Sequence, residues 1–251
     1  MTLFLFNAVI VLAAGALLRL LCLLLQRDPE PLLARASTVW ARSLCSILGI
    51  TVVTDGPEGL TVAPGSLVAA NHQSYLDIII IASVIPVLFV AKQEVRHWPV
   101  LGWLAAMGGT VFIDRIAFRG ALHAMASLDR SLANGVNVQI FPEGTSTDGG
   151  TVLPFRSFLF HSAVTAARPV IPVTINYREI DGTPVTTANR DIVCWYGSMT
   201  FVHHLWELFS HRSLSVTLSF HPPIVASPGM NAKSLSESAY RRVVSGFNEI
   251  R

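Results

Sequence analysis

Charge is scarce in this sequence. Only 14% of its 251 residues are Asp, Glu, Lys or Arg, against about 25% in an ordinary soluble domain. Cysteine is scarce as well. Cys22, Cys45 and Cys194 are odd in number and form no C-x-x-C pair, so neither a disulfide framework nor a cysteine zinc site is indicated. They read as small buried apolar residues in a reducing compartment. No Lys/Arg run alternates with aromatics, and the net charge is only +2, which removes the electrostatic basis for binding nucleic acid. Nothing basic precedes the first apolar run, so a cleavable leader is not indicated. Repeats, low-complexity tracts and linkers are absent too. A chain of this length then fits one sizeable domain with a small appendage.

What is abundant is apolar surface: 51% of the residues are hydrophobic and the mean hydropathy is +0.52. Residues 3–25 account for much of it, because Asn7 and Arg19 are the only strongly polar side chains there. As a helix this run would be roughly 35 Å long, enough to span or embed in a bilayer core of about 30 Å. Arg19 is then expected to snorkel to the headgroups. Arg27, Arg35 and Arg42 follow the run, and the positive-inside bias puts everything after it on the cytoplasmic face. The expected organisation is an N-terminal membrane-anchoring helical segment (1–50) followed by an α/β domain (51–251). Basic residues between 27 and 42 would favour anionic headgroups.

Past the anchor, the pattern predicts a helix over 29–50, strands at 51–54 and 66–70, and a helix at 78–84. Next come a strand at 86–91, a helix at 98–107, a short strand at 110–113, a helix at 119–133 and a strand at 136–141. A helix at 157–167 and a strand at 170–175 ending near Tyr177 follow. Strands at 191–195 and 214–220 around a helix at 201–209, and a final helix at 234–249, complete the chain. Strands alternating with helices imply an α/β fold: one domain with a central mixed, largely parallel sheet flanked by helices.

Three polar clusters fall at predicted strand ends, where open α/β sheets bind ligands. The first is Asn71-His72-Gln73-Ser74-Tyr75-Leu76-Asp77. On one helix, residues five apart are turned by about 500° and face different ways. His72 and Asp77 meet only if the chain breaks between them. Ser74-x-x-Asp77 before Ile78-Ile79-Ile80-Ile81 reads as such a break, a helix start capped by Ser74. The acid would then hold the imidazole in one tautomer, which suits a general base. The second cluster, Phe112-Ile113-Asp114-Arg115, delivers a cation beside a carboxylate. The third, Phe141-Pro142-Glu143-Gly144-Thr145-Ser146-Thr147, sets an acid, a glycine and hydroxyls after a hydrophobic strand. Each has a bland reading alone: a helix-start carboxylate, a surface ion pair, a turn.

In this order, and with Val170-Ile171-Pro172-Val173 after them, the blocks closely resemble the four motifs of the glycerophospholipid acyltransferases. The resemblance covers roughly residues 65–180 and is greatest to the bacterial 1-acylglycerol-3-phosphate (lysophosphatidic acid) acyltransferases. The acyltransferases that finish ornithine lipids share the same blocks. Leu153-Pro154-Phe155-Arg156-Ser157 and Trp195-Tyr196-Gly197 are also similar to members of this group. Many members carry Phe-Lys-x-Gly where this chain has Phe155-Arg156-Ser157-Phe158, which keeps the positive charge.

The resemblance implies acyl transfer from a thioester, acyl-CoA or acyl-carrier protein, to the sn-2 hydroxyl of 1-acylglycerol-3-phosphate. An alcohol is a poor nucleophile at neutral pH, and a positioned base is worth about 10²–10⁴-fold. His72 is the expected base and Asp77 its orienting acid, with direct attack and no acyl-enzyme. Arg115 is expected to grip the phosphate bidentately. Glu143, Gly144 and Thr145 are expected to hold the glycerol, and Arg156 to offer a second phosphate contact. No metal or other cofactor is expected: His203, His204, His211 and His221 lack ligand spacing. Trp98, Trp103, Met107 and Phe112 read either as an acyl tunnel or as core. Membrane lipids and a thioester donor are the expected partners, meeting at the cytoplasmic side of the inner membrane. An ornithine-lipid precursor, another lysolipid, or a non-catalytic lipid-binding role are the alternatives.

Overall fold

The computed structural model describes residues 2–56, 62–98, 101–114, 118–226 and 230–251. Two helices, α1 (Thr2–Leu24) and α2 (Glu30–Ile47), precede strand β1 (Ile50–Asp55) and strand β2 (Leu67–Ala70). Helix α3 (Leu76–Val84), strand β3 (Leu88–Lys92), helix α4 (Leu101–Met107) and strand β4 (Val111–Ile113) follow. Then come α5 (Phe118–Ala133), β5 (Val138–Ile140), α6 (Phe160–Thr165), β6 (Val170–Ile180) and β7 (Thr183–Pro184). Helix α7 (Phe201–Leu208), strand β8 (Leu214–Phe220) and helix α8 (Ala232–Gly246) close the order.

The strands lie in the order β1-β8-β6-β2-β5-β3-β4, with β7 paired to β6. All neighbours are parallel except β6 with β8 and β6 with β7. This is the mixed, largely parallel sheet that the alternation implied. β2 shows why helices cover both faces. Leu67 and Ala69 join one core cluster with α5, α6 and α8, while Val68 and Ala70 join another with α2 and α3. Strand side chains alternate, so a four-residue run without a polar side chain needs a cover on each side. Leu67, Ile80, Leu128, Val138 and Ile171 are completely buried, each stabilising by about 1.5–3 kcal/mol.

Two expectations fail. Residues 191–195 form no strand: Arg190–Ile192 is a 3-10 turn, because Arg190 pairs with Asp148 at 2.9 Å and Asp191 accepts from the Tyr196 hydroxyl at 2.9 Å. Arg19 does not snorkel. Its guanidinium donates to the carbonyls of Ala106 and Met107, at 2.7 and 3.4 Å, at the carboxyl end of α4, where a cation suits the helix dipole. Asn7 likewise donates to Ser43 at 2.7 Å. The two polar residues of α1 thus tie it to α2 and α4, and Leu18 packs against the small cluster of Leu33, Ala34, Leu88 and Val136. Its other side exposes Val9, Leu17, Leu20, Leu23 and Leu24. Among the described residues no helix is long and apolar enough to cross a membrane. Helix α2 packs on α3 and adds Ala41, Leu44 and Cys45 to the main core.

Candidate active site

Strand β2 ends at Ala70, and the next residue makes the turn possible. The Asn71 side chain donates to Ile175 O at 3.0 Å and accepts from Ile175 N–H at 2.8 Å. It imitates one more peptide of the β2–β6 ladder while its own backbone leaves the sheet. His72, Gln73 and Ser74 form the resulting loop, and α3 begins behind them.

The break between His72 and Asp77 is real, but its capping runs opposite to expectation. Ser74 does not cap α3, whose first turn has no side-chain cap at the N-cap residue Tyr75. Asp77 reaches back instead. Its Oδ2 accepts from Gln73 N–H at 2.7 Å, from Ser74 N–H at 2.9 Å and from His72 Nδ1 at 2.8 Å. Its Oδ1 accepts from the Tyr177 hydroxyl at 2.6 Å. An ionised carboxylate offers about four acceptor sites, and four donors fill them in a residue with no exposed surface. With Nδ1 donating to Asp77, the free lone pair of His72 is on Nε2. The ring stacks on Phe141, centroids 4.0 Å apart and planes 14° apart, and its side chain keeps 19% exposure.

Glu143 comes to the same place and serves the main chain. Its Oε1 accepts the His72 backbone N–H and its Oε2 that of Leu153, both at 2.7 Å. Each oxygen thus takes one main-chain N–H, and the residue is 3% exposed. Burial pushes its carboxyl up to about 8, against the pull of those two amides and with a smaller push from Asp77. Thr147 completes the frame, donating from both its amide (2.9 Å) and its hydroxyl (3.2 Å) to His72 O. Gly144 holds φ +79°, a conformation open to glycine at little cost, and with Thr145 it lines the cavity in front of His72.

That cavity has a volume of about 420 Å³, within the range of small-molecule sites. It runs from His72 and Lys92, at the carboxyl ends of the strands, back along β3 to Phe89, walled by Trp40 and Leu44 of α2 and Ile79 of α3. Most of its lining is apolar, and Lys92 is the only Lys or Arg among its described lining residues. Of the four tunnel candidates, Trp98 lines it. Trp103 is exposed, Met107 lies against Gly15 of α1, and Phe112 sits beneath the Arg96 guanidinium at 5.7 Å.

Two expected phosphate contacts are not in this cavity's described lining. Arg115 lies outside the described residues. Arg156 is exposed and borders a separate groove with Lys233 and Tyr240. Its amide donates to Pro142 O at 2.9 Å, and Phe155 packs against Phe160 and Tyr240, which turns this segment toward α8. The four histidines disperse. His204 contacts the Tyr75 hydroxyl (3.0 Å) and Cys194 O (3.2 Å), His211 pairs with Asp181 and His221 with Thr174, while His203 is exposed. Sequence reasoning missed Tyr177, the Phe141 stack and Lys92. A tyrosine beyond the fourth block carries no spacing signal, because the β2–β6 register alone brings it to Asp77.

Comparison with known proteins adds an independent line. A family model described as "Acyltransferase" matches residues 51–176. A lyso-ornithine lipid O-acyltransferase of Rhizobium meliloti is 34% identical over 232 residues, 90% of this chain and 78% of the relative. A 1-acyl-sn-glycerol-3-phosphate acyltransferase of Neisseria gonorrhoeae is 36% identical over 173 residues, 69% of this chain and 64% of the relative. Among solved structures, the 1-acyl-sn-glycerophosphate (LPA) acyltransferase PlsC of Thermotoga maritima shares the fold. Its TM-score is 0.68 at 24% identity, covering 98% of this chain and 91% of that one.

Proposed function

The chain belongs to the acyltransferase family, and from that premise we propose that it moves a fatty acyl group from a thioester to the free hydroxyl of a lysolipid. One observation carries the reading: a base held by a buried acid faces an apolar cavity. His72 Nε2 takes the hydroxyl proton as the oxygen attacks the thioester carbonyl. Asp77 stabilises the imidazolium. The tetrahedral intermediate collapses to the ester and expels the thiolate, which recovers the proton from His72. No residue is acylated. Cys194 lies in the core behind the loop, where burial pushes its thiol up and removes it as a nucleophile.

The cavity along β3 suits an acyl chain, since it has apolar walls and one polar mouth. Glu143 acts as a positioning residue for the His72 loop. The proposed acceptor is 1-acylglycerol-3-phosphate, with Arg115 and Lys92 supplying positive charge for its phosphate. A lyso-ornithine lipid is the second reading, favoured by the longer match to the Rhizobium relative; its headgroup carboxylate would also answer Lys92. The donor is acyl-CoA or an acyl-carrier protein, with no resident cofactor or metal. We place the enzyme at the cytoplasmic face of the inner membrane, the outward side of α1 resting in lipid.

The test is a product assay with purified protein in lipid, offering both lysolipids and both donor types. Acylated product from 1-acylglycerol-3-phosphate supports the first reading, product from lyso-ornithine lipid alone the second, and no product from any lysolipid defeats both. Co-sedimentation with anionic vesicles tests the location: loss of binding on Leu20→Glu with Leu24→Glu is expected, and unchanged binding contradicts it.

A further inference from the structure

Asp77 is gripped from two sides. Three of its donors belong to the His72 loop, or to the imidazole itself. The fourth, Tyr177, comes from β6, the strand that pairs with β2 in parallel, and packs within the main core at 5% exposure. A carboxylate turns easily about its last torsion, whose preferences are broad. The two loop amides and the imidazole meet on one oxygen, and the Tyr177 hydroxyl holds the other from the sheet, a fourth point that opposes that rotation. At 2.6 Å the Tyr177 contact has the length of a charge-assisted O–H···O⁻ bond.

We propose that Tyr177 is a positioning residue for acyl transfer, bracing Asp77 from the sheet and drawing off part of its charge so as to set the basicity of His72. This rests on the reading of His72 as the base. Burial first, and then the neighbouring Asp77 charge, hold the phenol well above the usual tyrosine range, so it stays a donor throughout the working pH. With the hydroxyl in place, Asp77 presents less negative charge to the imidazolium. Without it, the carboxylate becomes more basic, the imidazolium is held more tightly, and the ring loses its fixed plane.

The test is Tyr177→Phe, with His72 titrated by NMR on histidine-labelled protein and its signal assigned by its loss in His72→Ala. The expected result is a His72 midpoint raised by about 0.5 pH unit or more, and kcat down about tenfold with KM within about twofold. The acid limb of the kcat/KM profile should move with the midpoint. An unchanged or lowered midpoint overturns the proposal. Should the variant fold poorly, 3-fluorotyrosine at position 177 keeps the shape and strengthens the donor. The midpoint should then fall, and one that stays in place overturns the proposal equally. Tyr240→Phe, whose hydroxyl bonds Val152 O, is the control for deleting a hydroxyl elsewhere. The titration needs no turnover. A raised midpoint in a protein that acylates no lysolipid would support the coupling of Tyr177 to His72 through Asp77 while defeating the acyl transfer it is proposed to serve.

Discussion

Glu143 and His72 meet through the main chain: one oxygen of the Glu143 carboxyl group accepts the His72 backbone N–H at 2.7 Å, while the other takes Leu153 N–H at the same distance. The acid of the third block therefore shapes the loop that carries His72. Asp77, the acid of the first block, holds its ring. Two buried acids divide the loop: Glu143 takes the backbone N–H groups of His72 and Leu153, and Asp77 those of Gln73 and Ser74 together with the imidazole and the Tyr177 hydroxyl.

Glu143→Gln separates these roles. A glutamine offers one acceptor where two amides need partners, and leaving one buried amide unpaired costs about 1–3 kcal/mol. The pH dependence has a definite sign. The Glu143 carboxyl sits at about 8 in the folded protein instead of 4.5, so the folded state holds a proton that the unfolded chain has released. Its contribution is complete below pH 4.5 and is lost as pH rises through about 8. Thermal melts from pH 5 to 9 should show the variant less stable at the acid end, with the gap to wild type narrowing as pH rises. A gap that widens would contradict this placement.

Asp77→Asn should be far more severe for activity than for folding. The amide group presents a donor where His72, Gln73, Ser74 and Tyr177 all supply donors, and it no longer selects the tautomer with Nε2 free. A fall in kcat of about 10²–10⁴-fold is expected, with thioester KM little changed. Steady-state kinetics across pH check it. A variant within tenfold of wild type would show that the acid does not hold the base.

Ala105 faces the cavity from α4, beside Gly108 and Thr110, and a larger side chain there should shorten the space along β3. Ala105→Phe is expected to shift donor preference toward shorter acyl chains by about 10–200-fold in kcat/KM ratio, the range for removing a few methylene contacts. Competition between thioesters of different chain length measures the shift. Unchanged preference would mean the chain lies elsewhere.

The sequence carried the sheet and the His72–Asp77 pair because both depend on local patterns. Runs such as Leu67-Val68-Ala69-Ala70 predict strands covered on two faces, and Asn71 to Asp77 contain their own break. Direction was harder to read. Ser74 and Asp77 occupy the positions of a capping pair, and only the folded loop shows that the carboxylate, not the hydroxyl, serves the amides. The backbone role of Glu143 left no local trace, because its two amide partners lie 71 and 10 residues away. Arg156 kept the right charge, yet the packing of Phe155 on Phe160 and Tyr240 carries it to another groove. Arg19 looked like a snorkelling residue in an apolar run, and the end of α4 it caps is 87 residues away. Long-range partners of this kind leave no periodicity behind.

The most direct measurement is the rate of acyl transfer by His72→Ala in lipid, with lysolipid acceptor and thioester donor at saturation and thermal stability followed in parallel. Loss of turnover by about 10²-fold or more, in a protein that stays folded and still binds the donor, is the expected result. Transfer at a rate close to that of wild type would show that the imidazole beside Asp77 is not the base.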